Sequence, residues 1–246
     1  GCAAADGGGG AGERSEQLDG GGGAGSESML RQQFLAEMEM DMDFLARNWG
    51  TLRRRRGAGL WLWKPYWINR TLHELPDGEV LMYCDAGLEF VADASPLRRL
   101  AAQEPAGIVS FQMAMHSERR YTQRRTLQAL GCAGNASCLD SGQRAATFIL
   151  FRAGPAARRF ASRWLQLCED PRLLVDDLGP DADSADEEGG GGEEDPEFVA
   201  HRHDQSVYSI LCKMEGIPAY RTPTQYGLDP AERVSLGDYP QILRAK

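Results

Sequence analysis

Three short segments of this 246-residue chain carry side chains that could act together chemically. The first is Asp85-Ala86-Gly87, directly after the apolar run Val80-Leu81-Met82-Tyr83. A carboxylate emerging from a buried strand, followed by two small residues that let backbone come close, suits a divalent cation held against phosphate oxygens. Equally, Asp85 could be a turn residue bonding its own backbone. The second is Trp63-Lys64-Pro65, set among Trp61, Tyr66 and Trp67. Here the ammonium could meet a phosphate while its stem packs on the rings, or simply lie across aromatics at the surface. The third is His201-Arg202-His203-Asp204-Gln205, the densest polar cluster in the chain. In an extended segment the two histidines project to one side and could share a metal or phosphate; on a helix they could not. Asp204 is either a helix N-cap or a general base.

Segments of both periodicities flank these residues. Apolar side chains recur at helical spacing over residues 30–45, predicting a helix of about four turns there. Pro65 suits a first helical turn, with Tyr66, Ile68, Leu72 and Leu75 facing inward before Pro76-Asp77-Gly78 turns the chain. Strands are expected over 79–84, 107–112 and 147–152. Helices are expected over 96–103, from an N-cap at Thr122 to a stop at Gly131, over 155–168, and over 203–215 with Gly216 as the stop. Strands alternating with helices predict an α/β fold, with helices on both faces of a largely parallel sheet. In such sheets ligands gather beyond the carboxyl ends of the strands, where Asp85 falls.

Acidic residues outnumber basic ones by 36 to 27, yet that excess is local. Residues 1–28 are glycine-rich, and residues 176–197 hold eleven acids and no basic residue. Neither holds the apolar surface that offsets ordering entropy, so a disordered tail and a disordered insertion are expected around a single domain over 29–246. What remains is mildly basic. Four consecutive arginines, Arg53 to Arg56, read as a solvated face; without a wider basic stripe and stacking aromatics, no nucleic-acid partner is expected. No apolar run reaches the 18 to 20 or so residues of a membrane span. The six cysteines form no C-x-x-C pair, but Cys132 and Cys138 are close enough to bridge. Asn69-Arg70-Thr71 and Asn135-Ala136-Ser137 fit the glycosylation sequon.

Taken in order, residues 59–66, residues 81–87, Glu118 with Tyr121-Thr122, Gln143 with Phe151-Arg152, and residues 201–211 with Lys213 form five blocks. Together they resemble GT-A type glycosyltransferases, of the nucleotide-diphospho-sugar transferase fold. The resemblance implies an α/β, GT-A-like open mixed sheet flanked by helices, and transfer of a sugar from a nucleotide-diphosphate donor to a carbohydrate or glycoconjugate hydroxyl. It implies Mn²⁺ or Mg²⁺ at Asp85, with His201 as a second ligand. Trp63, Lys64, Ala86, Gly87 and His203 would hold the donor diphosphate, Gln205 would face the acceptor, and Asp204 would orient or deprotonate it. The compartment is left open between the cytoplasm and, if an N-terminal anchor is missing, the Golgi lumen. The chain departs from the pattern in three places. Asp85-Ala86-Gly87 lacks the second acid of D-x-D, Thr122-Gln123-Arg124-Arg125 lacks an acid that relatives carry, and no apolar strand precedes Leu30. The chain is therefore either a fragment or a copy with a degenerate base site, which leaves a non-catalytic carbohydrate- or nucleotide-binding remnant as the alternative. A glycoside hydrolase built on Asp85 and Asp204 is a third reading.

Overall fold

The computed structural model describes residues 41–176, 193–228 and 236–246. The expected tail, most of the helix expected over 30–45 and most of the acidic insertion lie outside the described residues. The ends of that insertion are described: Asp176 reaches Arg56 at 3.4 Å, and Asp195 accepts a 2.7 Å hydrogen bond from Arg119.

The first described helix, α1, runs Met42–Leu52, seven residues past the expected end. Beyond Leu45 its inward stripe turns polar, with Asn48 and Thr51 buried, and Asn48 donates to Glu169 at 2.8 Å. Asp41 caps the helix through the Phe44 amide. The arginine run leads into a tight spiral, Gly57–Leu60, in which every residue has positive φ, as does Trp61. Gly59 is obligatory there: at φ 98° its Cβ would stand 2.8 Å from the Leu52 Cα. Helix α2 (Trp63–Glu74) follows, with Pro65 in its first turn and Tyr66, Ile68 and Leu72 buried.

Strands β1 (Val80–Cys84), β3 (Ile108–Ser117), β4 (Gly142–Arg144), β5 (Phe148–Arg152) and β6 (Ala219–Arg221) form the central sheet. β2 (Leu88–Phe90) pairs with β7 (Leu243–Ala245) in a separate ribbon. Side chains alternate across the main sheet. Ile149 and Phe151 face one core with helices α2, α5 (Pro155–Cys168) and α6 (Asp204–Met214); Phe148 and Leu150 face the other, with helix α3 (Ser95–Gln103). Helices thus cover both faces, as expected.

Strand direction follows the mixed sheet that the resemblance implies, not the largely parallel sheet that helix–strand alternation predicts. β1–α3–β3 is a crossover whose two strands run the same way, but β5 enters between them antiparallel to both. Only β6 pairs parallel, on β3. The sheet is mixed, not largely parallel, because helix alternation predicts the crossover and cannot reveal a later strand inserted inside it. β4 and β5 lie along one edge of β3 with an irregularity between them. Ser110 and Phe111 alone separate the paired positions on β3, whereas residues 145–149 separate them opposite, leaving an outward bulge at Ala145-Ala146-Thr147.

One local expectation is also corrected. Gln123, not Thr122, is the cap position of helix α4 (Arg124–Ala129), because the buried Thr122 hydroxyl donates instead to Glu118 at 2.6 Å. Cys132 and Cys138 are joined by a disulfide. Among the described residues, no helix is long and apolar enough to cross a membrane.

Candidate functional site

The bulge between β4 and β5 organises the site. Its Thr147 carbonyl accepts the Asp85 amide at 2.9 Å, which fixes the end of β1. Its Ala146 amide donates to Gln205 Oε1 at 3.2 Å, which fixes the start of α6. The Ala146 carbonyl accepts Lys64 Nζ at 3.1 Å, which draws the lysine inward from α2. Three successive peptide units of one largely buried bulge therefore tie together three segments that are far apart in sequence.

Lys64 is 3% exposed, and its ammonium stands 2.9 Å from Asp204 Oδ2 and 3.8 Å from Asp85 Oδ1. It also lies 5.3 Å from the centre of the Tyr83 ring, whose hydroxyl donates to Asp85 Oδ1. Burial of Asp204, opposed by this ammonium, raises its carboxyl to about 6. Burial and the Asp85 charge together push the Tyr83 phenol far above its usual range, so it remains a donor. Asp204 does not cap α6: it is the first helical residue, and its carboxylate turns to Lys64. Its backbone carbonyl accepts the indole N–H of Trp164 at 3.1 Å.

The rings of His201 and His203 lie side by side before α6, with centroids 5.3 Å apart, although His203 sits in a turn. What they share is protein. His201 Nδ1 accepts the Gln123 amide, so Nε2 carries the proton and donates to the Leu173 carbonyl at 2.9 Å. Both ring nitrogens are spent, and His201 therefore cannot be the metal ligand that the sequence suggested. Burial and the neighbouring His203 push its imidazole down to about 3. His203 donates from Nδ1 to the Leu174 carbonyl at 2.8 Å. Its buried Nε2 has no hydrogen bond among the described residues and lies 3.9 Å from Asp176 Oδ2. The residue is held at φ 51°, ψ −119°, and its ring stacks on Trp61 at 5.8 Å.

These groups line one cleft of about 140 Å³: Arg56, Trp61, Lys64, Asp85, Thr147, Arg202, His203, Asp204 and Gln205. Asp85 and the imidazole-rich segment, separated in sequence, do open into one space. No family model, curated protein or solved structure matches the chain. Four expected site residues are outside the cleft lining: His201, spent as described, and Trp63, Ala86 and Gly87. The Trp63 indole turns back to donate to the Gly57 carbonyl at 3.0 Å, and the ring in the cleft is Trp61. Ala86 and Gly87 are exposed at the turn beyond Asp85 and do not line it. Gln205 does line it, but its amide is held between Ala146 and Gln143 Oε1.

Arg56 and Trp61 were not anticipated as site residues, because only the left-handed spiral over 57–61 swings them inward. A second group without a predicted role lies beneath the site. Glu118, fully buried, accepts from Thr122, Gln143, Ser209 and, at 2.6 Å, the Lys213 ammonium. Gln143 in turn holds Gln205. Two residues of α6, the end of β3 and β4 are thereby pinned around one carboxylate. The presence of Glu118, Thr122, Gln143 and Lys213 in the ordered blocks was the available signal.

Proposed function

We propose that the cleft binds the diphosphate of a nucleotide-sugar and passes the sugar to an acceptor hydroxyl. The observation that carries this reading is the meeting of Asp85 and Asp204 on the buried Lys64 ammonium, at a cleft also lined by Arg56 and Arg202. Three cations at one cleft, of which Arg56 is paired with Asp176, suit a ligand whose negative charge grows on a leaving diphosphate. Arg56, Lys64 and Arg202 bind and orient that group, and Trp61 with His203 offers an aromatic wall. Asp204, raised to about 6, is ionised at neutral pH yet basic enough to take the acceptor proton.

No three His, Cys, Asp or Glu side chains gather into a cation cage among the described residues. Asp85, partly exposed at the cleft, suits the other arrangement, in which a single carboxylate shares Mn²⁺ or Mg²⁺ with substrate phosphates. An ion held there would neutralise part of the diphosphate charge.

The test is calorimetric titration with nucleoside diphosphates, with and without Mn²⁺, followed by a donor-turnover assay. Saturable binding that Asp85→Asn weakens, with release of nucleoside diphosphate from a sugar donor, is the expected result. Failure of every nucleoside diphosphate to bind would overturn the proposal. One observation favours the alternative of a non-catalytic binding remnant: Asp204 is only 2% exposed and is already paired with Lys64. Binding without turnover of any donor would select it.

A further inference from the structure

We infer that Asn135 is a site of N-linked glycosylation. Its sequon lies inside the ring closed by the Cys132–Cys138 disulfide, and no residue of that ring lines the cleft. Such a bridge persists in oxidising compartments, which in cells with a secretory lumen are also where oligosaccharides are transferred to asparagine. The disulfide and the sequon are independent features of the chain, and they coincide in one exposed loop.

The side-chain geometry suits attachment. Asn135 Oδ1 accepts the Ser137 hydroxyl at 2.7 Å and the Cys138 amide at 3.3 Å, which orients the carboxamide and caps a single helical turn, Ala136–Leu139. Its Nδ2 makes no hydrogen bond among the described residues. A sugar on that nitrogen leaves both Oδ1 contacts in place. A cavity of about 440 Å³, with Met214 and Ile217 across from Asn135 and Ser137, adjoins the position, so the first sugar has room. The other sequon differs in its setting. Asn69 lies inside α2, its Oδ1 accepts the Ser162 hydroxyl from α5, and no disulfide is near it in sequence.

In the transfer, Nδ2 of Asn135 bonds to C1 of a sugar carried on a lipid diphosphate. The C1–O bond breaks, its electron pair leaves with the diphosphate, and one amide proton passes to the base of the transferring enzyme.

The experiment is peptide mapping of the full-length protein isolated from its own cells with thiols blocked. The expected result is a peptide pair cross-linked at Cys132 and Cys138 and glycosylated at Asn135, with residue 135 becoming Asp on amidase deglycosylation in heavy-oxygen water. Ser137→Ala should abolish the glycan and Ser137→Thr should retain it, with the disulfide intact in both. An unmodified Asn135, free thiols at 132 and 138, or a glycan on Asn69 with a bare Asn135 would each overturn the assignment. None of these results depends on the cleft having an activity.

Discussion

Lys64 has two carboxylates to satisfy and almost no exposed surface, so its loss should be felt differently at different pH. In Lys64→Met, Asp204 is left buried without a counter-charge, a situation that costs about 3 to 5 kcal/mol when the acid is ionised. Urea unfolding at pH 8 should show that loss, and at pH 5, where Asp204 carries its proton, the loss should be much smaller. Equal losses at both pH values would mean that the methionine fails for reasons of packing. Asp204 also sets a signed pH dependence in the intact protein. Its carboxyl is raised in the fold from 3.8 to about 6, so its proton-linked stabilisation is full below 3.8 and is lost as pH rises through about 6. His201 acts in the opposite sense. Depressed from 6.5 to about 3, it supports the fold above 6.5 and withdraws support as pH falls, at about 1.4 kcal/mol per pH unit. Between pH 4 and 6 the two slopes oppose each other. Asp204→Asn should therefore make stability fall more steeply on acidification than in the parent chain; an unchanged slope would contradict the burial argument. If the cleft transfers sugar, turnover should rise with pH through about 6 and lose that limb with the acid.

At the scale of elements, the joint that matters is β3–α6, held by Glu118. Glu118→Gln keeps the shape but leaves the Lys213 ammonium, 14% exposed, beside a neutral amide, and should cost about 3 kcal/mol. Adding Lys213→Met should restore part of the loss, which a double-mutant cycle in urea can measure. A Glu118→Gln loss below about 1 kcal/mol would mean that Lys213 reaches water. The same elements show what could be read from the chain alone. α2, β1, α5 and α6 were legible because apolar spacing or an unbroken apolar run matches their buried faces, and Asp85, Lys64 and Asp204 were legible because they adjoin those runs. β4 was not, since Gln143 and Arg144 are polar yet fully or nearly buried, and their burial depends on Ser209, Glu118 and Gln205 arriving from elsewhere. The sequence points to Trp63 rather than Trp61 for a related reason. Both flank Lys64 in sequence, and only the positive φ of residues 57–61 decides which ring faces the cleft.

On the scale of the whole molecule, the question is whether the cleft is an appendage or a product of the core. Trp164 decides it: the side chain is fully buried on α5, tilts against Tyr208 of α6 at 4.9 Å, and spends its one donor on the Asp204 carbonyl. The packing that closes one side of the sheet therefore also sets the first turn of the helix that carries the acid. Trp164→Ala removes the largest of the fully buried side chains and should cost about 3 to 5 kcal/mol, a large share of the roughly 5 to 15 kcal/mol that holds a domain together. Trp164→Phe keeps most of the ring contact but leaves a buried carbonyl unpaired, which should cost about 1 to 3 kcal/mol. Because the carbonyl and the carboxylate belong to one residue, the phenylalanine variant should weaken nucleoside-diphosphate binding more than its stability loss alone explains. Both faces of the sheet share β5, with Phe148 and Leu150 on one side and Ile149 and Phe151 on the other, so unfolding should remain a single transition with an unchanged denaturant slope. Two resolved transitions in Trp164→Ala, monitored by tryptophan fluorescence and by far-ultraviolet circular dichroism, would show instead that the α5–α6 layer and its cleft can melt while the opposite face stays folded.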